Sequence, residues 1–216
     1  MLKRTPPRLS RPWSRRWSFA GPLCALLWML AAHGARASDD GDAAGLLDGV
    51  RWLGHSSIVL HHERTIYFDP YDLRDTPRDA DLILITHPHY DHCSRRAVRR
   101  LLKPSTRILT VRDCAEKLDL GDRVVVVRAG ERYEESGVAV ETIPAYNPDG
   151  LDHPKARGWV GFVVRSGGHR YYDAGDTGLI PEMSDIQADV AFVPIDGRFT
   201  MNPYEAAEAA TRAGAK

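Results

Sequence analysis

Short apolar and β-branched runs, separated by turn residues, dominate the chain from residue 50 onward. Residues 50–53, 57–61 and 65–68 predict a meander of three antiparallel strands. Residues 80–86 predict a buried strand, because four consecutive apolar residues occupy positions 82–85. Further strands are predicted over residues 107–111, 124–127, 138–143, 159–165, 169–173 and 190–194. Residues 166–168, Ser-Gly-Gly, are typical of a tight turn and predict that the strands on either side form a hairpin.

Three segments have helical patterns. Residues 94–102 follow a plausible N-cap, Ser94, and residues 114–118 form a short second helix. A third helix is predicted over residues 203–213, with Asn202 as its N-cap and Pro203 in its first turn. Two β-rich halves, each followed by helices, predict an α+β fold with two stacked sheets and the helices outside.

The first 37 residues differ from the rest of the chain. They hold seven basic side chains and no acidic one, and an apolar stretch from Phe19 to Ala32 follows the basic start. A small-x-small site, Ala35-Arg36-Ala37, comes next, so residues 1–37 are predicted to be a secretory signal peptide. The apolar stretch is shorter than the roughly 20 residues that span a bilayer, which makes a retained membrane anchor the less favoured interpretation. The pair Arg15-Arg16 leaves both the general and the twin-arginine export routes open.

The mature domain is therefore expected over residues 38–216, secreted or periplasmic and without a stable membrane anchor. Without the seven basic residues, it carries 22 basic against 29 acidic side chains, a net charge of −7. An acidic domain repels phosphate backbones, which argues against a nucleic-acid partner and leaves a small molecule as the expected substrate. Its two cysteines, Cys93 and Cys114, do not form a disulfide framework, and whether they pair is left open.

The strongest chemical signal directly follows the predicted buried strand of residues 80–86. Three imidazoles and a carboxylate crowd into six residues at His87, His89, Asp91 and His92. Four polar groups at a strand end are costly unless something pairs them, and a divalent metal would pair them all. Neutral imidazole and carboxylate suit zinc, and also iron or manganese. A chance cluster of surface histidines is the alternative, and the order of strand, ligands and helix disfavours it.

The pattern His-x-His-x-Asp-His after an apolar strand resembles the metallo-β-lactamase superfamily. Within it, other stretches resemble a branch of metal-dependent hydrolases that includes ascorbate-6-phosphate lactonase-like proteins. These stretches are Gly54-His55-Ser56-Ser57, Phe68-Asp69-Pro70, Pro144-Ala145-Tyr146-Asn147, Gly158-Trp159-Val160-Gly161 and Ala174-Gly175-Asp176-Thr177-Gly178. The resemblance covers nearly all of the mature domain and implies a four-layer αββα sandwich. It also implies one or two divalent metal ions.

The resemblance implies roles for individual residues. Asp176 would bridge two metals, and Asp91 would orient a metal-bound hydroxide and pass on its proton. Asp69 would orient a ligand histidine, with a plain turn residue as the alternative. His55 has either an outer role near the metals or substrate, or a structural hydrogen bond.

Two departures from the family pattern lead to further expectations. Where many relatives place a histidine ligand, this chain has Ala145-Tyr146-Asn147, so His153 is inferred to supply the ligand from a longer loop, with a surface histidine as the alternative. The family's last ligand histidine lies after a further strand, and this chain ends at Lys216. The sandwich is therefore expected to lack its last strand, and the second metal to lack one ligand.

The function implied is hydrolysis of a small ester, lactone or phosphodiester by a metal-activated water. A true β-lactamase is an alternative that export favours. The other alternative is a truncated metal-binding remnant with weak or no activity.

Overall fold

The computed structural model describes residues 45–75 and 77–216, so the predicted signal peptide lies outside the described residues. These residues form two β-sheets and three α-helices. The strands are β1 (Val50–Gly54), β2 (Ser57–His61), β3 (Thr65–Phe68), β4 (Ala80–Ile85), β5 (Leu102–Thr110), β6 (Val124–Val126), β7 (Arg132–Glu135), β8 (Val138–Pro144), β9 (Val160–Ser166), β10 (His169–Asp173) and β11 (Val190–Phe192). The helices are α1 (Arg95–Leu101), α2 (Arg112–Leu118) and α3 (Pro203–Arg212).

The first sheet has the strand order β1-β2-β3-β4-β5-β6. Its first three strands pair antiparallel, which confirms the predicted meander, and β3 to β6 pair parallel. The second sheet has the order β11-β10-β9-β8-β7, with only β10 and β11 parallel. The predicted hairpin is present as β9 and β10, which pair antiparallel from His169 opposite Ser166.

The alternation of side chains along the second sheet explains how its two faces are covered. Phe162 and Tyr171 are buried in one core with residues of the first sheet, α1 and α2. Their neighbours Val163 and Tyr172 point to the other face and are buried with α3. The predicted α+β class is confirmed, and the order of layers is helices, first sheet, second sheet, helix.

The predicted helix caps are present. The Ser94 side chain accepts a hydrogen bond from the backbone N–H of Ala97 at the start of α1. Asn202 accepts from the N–H groups of Tyr204 and Glu205, and the Glu205 carboxylate accepts from the Asn202 N–H in return. This capping box fixes the first turn of α3 from both sides.

Some boundaries differ from those predicted. Strand β5 begins at Leu102, directly after α1, and α2 begins two residues earlier than predicted. Strand β7 was not predicted at all, because its sequence Arg-Tyr-Glu-Glu has one apolar residue and lies at the edge of the second sheet. Among the described residues, no helix is long and apolar enough to cross a membrane.

Candidate metal centre

The histidine-rich segment lies where the strands of both sheets end on the same side. Asp69 directly follows β3, and His87 follows β4 after one residue. Because β3 and β4 are parallel, their carboxyl ends meet at one edge, as do those of β10 and β11 in the facing sheet. Asp176 follows the end of β10 by three residues. The edge therefore gathers polar groups that are far apart in sequence.

Four side chains converge at this edge and are called here the first cluster: His87, His89, His153 and Asp176. Each offers a nitrogen or oxygen atom, and these atoms all lie within 4.8 Å of one another. His87 Nε2 lies 3.1 Å from His89 Nδ1, and Asp176 Oδ2 lies 3.3 Å from His153 Nε2 and 3.8 Å from His87 Nε2. Two ligands about 2.0–2.1 Å from one zinc ion can be no more than about 4 Å apart, so these spacings fit a common ion.

A second group of donors, the second cluster, consists of His55, Asp91 and His92. His55 Nε2 lies 2.9 Å from Asp91 Oδ2, and the two residues are 36 positions apart. His92 Nε2 lies 3.4 Å from Asp176 Oδ1. Asp176 therefore faces both clusters, one through each carboxylate oxygen.

Hydrogen bonds behind the two clusters orient two of the imidazoles, those of His87 and His92, in the same way. The Thr86 hydroxyl donates to Asp69 Oδ2 at 2.6 Å, so it accepts from His87 Nδ1 at 2.8 Å. His92 Nδ1 donates to the same Asp69 oxygen at 2.7 Å. With Nδ1 engaged in this way, Nε2 of each ring faces Asp176 and is the nitrogen that could bind a metal. Asp69 therefore orients His92 directly and His87 through Thr86.

His153 is buried, with 2% of its side chain exposed, and is not a surface histidine. Its Nδ1 lies 3.1 Å from the Phe199 carbonyl oxygen and donates to it, and Asn147 Nδ2 donates to that oxygen at 2.7 Å. His153 Nε2 is buried and makes no hydrogen bond to any described residue. A buried acceptor without a partner costs free energy, and a metal ion would satisfy it. The donor set and this unpartnered atom therefore fit a divalent metal.

The glycine before Asp176 allows this carboxylate to approach the histidines closely. Gly175 has a φ of +59°, and a Cβ at this position would lie 2.8 Å from the Thr86 side chain. Any other residue would push the turn away from the end of β4. This glycine therefore sets the distance between Asp176 and the histidines.

Burial and charge shift the pKa values of the clustered groups in opposite directions. Burial, together with the nearby ring of His92, holds the pKa of His87 well below its ordinary value, and burial also lowers the pKa of His89. Burial opposes protonation of His92 too, but the carboxylates of Asp69 and Asp176 raise its pKa to about 11. Burial opposes ionisation of Asp176, yet the adjacent imidazoles of His153 and His92 hold its pKa well below its ordinary value. The carboxylates that favour a proton on His92 also favour a divalent cation in its place.

Two further residues belong to the site, and the sequence assigned neither of them a role there. Trp159 lies in the Gly158–Gly161 motif, and its ring lies 5.0 Å from that of His87, 4.9 Å from that of His89 and 5.6 Å from that of His153. It thus forms one wall of the first cluster. Asp173 is buried at the end of β10, and burial together with the charge of Asp69 raises its pKa well above the ordinary value. In the sequence, only the position of Asp173 three residues before Asp176 indicated that it lies near the site.

Cys93 and Cys114, whose pairing the sequence left open, form a disulfide with a Cα–Cα distance of 6.2 Å. Cys93 directly follows His92, and Cys114 lies in α2. The bond therefore ties the segment that carries the second cluster to a helix of the outer layer.

A cavity of about 1050 Å³ opens beside the two clusters. Its walls include His89, Asp91, His92, His153 and Asp176, so a molecule in the cavity can reach both clusters. This arrangement provides a site where a metal-activated water and a small substrate could meet.

Known proteins share this sequence pattern and fold. Residues 49–216 match the family described as the beta-lactamase superfamily domain. A metal-dependent hydrolase of Methanoregula boonei is 36% identical over 178 residues, which cover 77% of this chain and 78% of that protein. A structure described as a metal-dependent hydrolase of Parabacteroides distasonis aligns with a TM-score of 0.66 and 32% identity over 76% of each chain. A structure from Thermotoga maritima, described as a zinc-dependent hydrolase of the metallo-β-lactamase superfamily, aligns with a TM-score of 0.53 and 26% identity over 77% of this chain and 71% of that one.

Proposed function

Since this chain belongs to the metallo-β-lactamase superfamily and is a metal-dependent hydrolase, we propose that it cleaves a small ester, lactone or phosphodiester with a metal-activated water. The observation that carries this proposal is the convergence of three imidazole Nε2 atoms on the Asp176 carboxylate, beside an open cavity. No serine or cysteine nucleophile is required, because the attacking group is water.

The proposed ligands of the first ion are His87, His89 and His153, and those of the second ion are Asp91 and His92. Asp176 lies between them and faces both. Imidazole nitrogen and carboxylate oxygen are the donors that zinc prefers, with iron and manganese as alternatives. The description of the Thermotoga maritima protein as zinc-dependent supports zinc.

A divalent metal bound at this centre supplies a Lewis acid and lowers the pKa of water from 15.7 toward about 7. Asp91 lines the cavity and is held by His55, so its carboxylate can orient a water and accept its proton. In ester cleavage, the water oxygen bonds to the carbonyl carbon, the bond to the alkoxy oxygen breaks, and the alkoxy oxygen takes up the proton. Asp69 keeps Nε2 of His92 directed at the centre throughout.

We also propose that the protein acts outside the cytoplasm, as a secreted or periplasmic enzyme. The signal-like residues 1–37 support this location, and so does the Cys93–Cys114 disulfide, because such bonds persist in oxidising compartments. N-terminal sequencing of protein recovered from outside the cytoplasm should begin at Ser38. A soluble cytoplasmic protein that retains Met1 would contradict this location.

The ligand assignment is tested by metal analysis of purified protein with and without His153. Substituting His153→Ala should weaken metal binding by at least about 10–100-fold, the loss typical of removing even an outer partner of a metal ligand. His169→Ala, at the opposite end of β10 from Asp173, is the matched control and should bind metal normally. An unchanged affinity in His153→Ala would remove His153 from the ligand set.

The reaction is tested with a panel of esters, lactones, phosphodiesters and one β-lactam, with and without a chelator. Metal-dependent turnover of an ester, lactone or phosphodiester supports the proposal. Turnover of the β-lactam alone would instead identify a β-lactamase.

A further inference from the structure

The basic residues among the described residues that line the cavity are the histidines of the two clusters. Among the described residues that line it, none is lysine or arginine, whereas six are aspartates: Asp69, Asp91, Asp152, Asp173, Asp176 and Asp196. Proteins recognise phosphate through arginine and lysine, which supply charge and hydrogen-bond donors. The adjacent Arg198 does not line the cavity, and its guanidinium stacks over the Phe199 ring at 4.7 Å from the centroid. Among the described residues, the wall therefore offers a phosphate group no lysine or arginine.

Large apolar side chains stand at the cavity mouth although they are exposed. Trp52 is 74% exposed, Tyr90 72%, Ile195 60% and Phe199 44%, and all four line the cavity. They come from three separate segments of the chain, since Ile195 and Phe199 share the loop after β11, so no single loop accounts for them. Exposed apolar surface gathered around a cleft is a typical sign of a binding site.

Two of these side chains, Trp52 and Tyr90, are held in place by their neighbours. Trp52 Nε1 donates a hydrogen bond to the His55 carbonyl oxygen at 2.8 Å, which fixes the indole beside the second cluster. The Tyr90 ring packs edge-on against Tyr71 at a centroid distance of 5.8 Å. A rim fixed in this way loses little conformational entropy when it binds an apolar group.

Resting on the proposed hydrolytic function, we propose that the substrate is an uncharged carboxylic ester or lactone that carries an aromatic ring or a medium-length alkyl chain. The apolar group packs against Trp52, Tyr90, Ile195 and Phe199, and the carbonyl faces Asp91 and Asp176. Phosphodiesters and phosphorylated lactones are disfavoured, because the described residues of the wall include no lysine or arginine to bind the phosphate group.

Turnover tests this specificity with substrates that differ in one property. The metal-loaded protein should hydrolyse p-nitrophenyl octanoate with a kcat/KM at least about tenfold above that for p-nitrophenyl acetate, because each buried methylene adds about 0.8 kcal/mol. Bis(p-nitrophenyl) phosphate keeps the aromatic groups but is an anion, and it should be a poorer substrate than the octanoate. A phosphodiester preference, or equal rates for the two esters, would overturn the substrate assignment while leaving metal-dependent hydrolysis intact.

Variants identify the residues that bind the apolar group. Trp52→Ala and Phe199→Ala should each raise KM for the octanoate severalfold, and by more than they raise KM for the acetate. Tyr204→Ala is the control, because Tyr204 is an aromatic residue that is 89% exposed on α3 and does not line the cavity. Equal octanoate kinetics in the wild type and both rim variants would contradict the role of this rim.

Calorimetry separates failure of the pocket from failure of the chemistry. Octanamide and octyl phosphate share one alkyl chain and differ in the charge of the head group. Octanamide binding that weakens in Trp52→Ala, without turnover of any ester, would support the pocket and contradict the proposed function. No octanamide binding, or tighter binding of octyl phosphate, would overturn the inference.

Discussion

The two clusters of the metal centre differ in how firmly the protein holds them. In the first cluster, His87 and His153 are almost completely buried, each has its Nδ1 hydrogen-bonded, and Trp159 packs against three of the rings. In the second cluster, the His55 side chain is 55% exposed, and only His92 is buried and anchored by Asp69. One half of the centre is therefore fixed before a metal or substrate arrives, whereas the other half opens to the cavity.

This difference is what a hydrolytic site of this kind requires. A buried, hydrogen-bonded set of imidazoles holds a metal in one geometry, because the surrounding contacts fix each ring. The open half can exchange water and admit a substrate carbonyl. The first three predictions below test the distinction and the fourth concerns a region away from the centre, in order of decreasing expected effect.

Removing the carboxylate that both clusters face should have the largest effect. Asp176 Oδ1 and Oδ2 lie 3.3–3.8 Å from the Nε2 atoms of His153, His92 and His87. Asp176→Asn should therefore weaken metal binding at both positions by more than about 100-fold, as measured by elemental analysis after dialysis. Asp185→Asn, an exposed carboxylate outside the cavity wall, is the control. Two ions retained at wild-type affinity would show that Asp176 does not link the clusters.

Breaking the disulfide should affect stability and the second cluster together. The bond joins residues 21 positions apart, and closing a loop of this size stabilises a protein by about 3 kcal/mol. Cys93→Ala with Cys114→Ala should lower the free energy of unfolding by about that amount in denaturant titrations. Metal binding should weaken more at the second cluster, since Cys93 adjoins His92. Comparison with each single variant separates loss of the bond from the presence of a free buried thiol. A double variant as stable as the wild type would contradict this expectation.

Changing His55 should have a smaller effect, restricted to the open half. His55 has a φ of +50°, a conformation that asparagine tolerates better than most residues, so His55→Asn keeps the turn but shortens the side chain. Loss of its contact with Asp91 should weaken metal binding at the second cluster by at most about tenfold and leave metal binding at the first cluster unchanged. Titration calorimetry can resolve the two events, with His169→Asn as control. An equal loss at both positions would show that the halves are not independent.

The smallest effect is expected at a carboxylate far from the centre in the fold, at the start of β4. Lys103 Nζ lies 2.7 Å from Asp81 Oδ1, and the Thr65 N–H donates to Oδ2. Burial opposes ionisation of Asp81, but these partners lower its pKa below the ordinary value. Because the Asp81 pKa is lower in the folded protein, the unfolded chain binds a proton at this carboxylate at a higher pH than the folded protein does. The stabilisation by the ionised carboxylate is therefore present above about pH 4 and is lost as the pH falls.

Asp81→Asn should therefore cost up to about 1 kcal/mol of unfolding free energy at pH 6, the range expected for such a pair. The difference from the wild type should shrink when denaturant titrations are repeated at pH 3. A difference that grows at low pH would reverse the sign of this argument.

The sequence alone determined the features that depend on neighbouring residues. The apolar run of β4, followed closely by His87 and His89, predicted both a buried strand and a metal site at its end, because polar groups there need a partner. Ser94 and Asn202 predicted helix starts, because a cap bonds within three residues of itself. Strand β7 was missed, because an edge strand of charged residues has no apolar alternation to reveal it.

Only the tertiary structure decided which distant residues meet. His55 and Asp91 are separated by 36 positions, Asn147 meets the Phe199 carbonyl across 52, and Cys93 reaches Cys114 across 21. Trp159 forms a wall of the first cluster because β9 faces the end of β4, which no local pattern reports. Hydrophobic periodicity records which face of an element is buried, but the packing of the two sheets sets what that face touches.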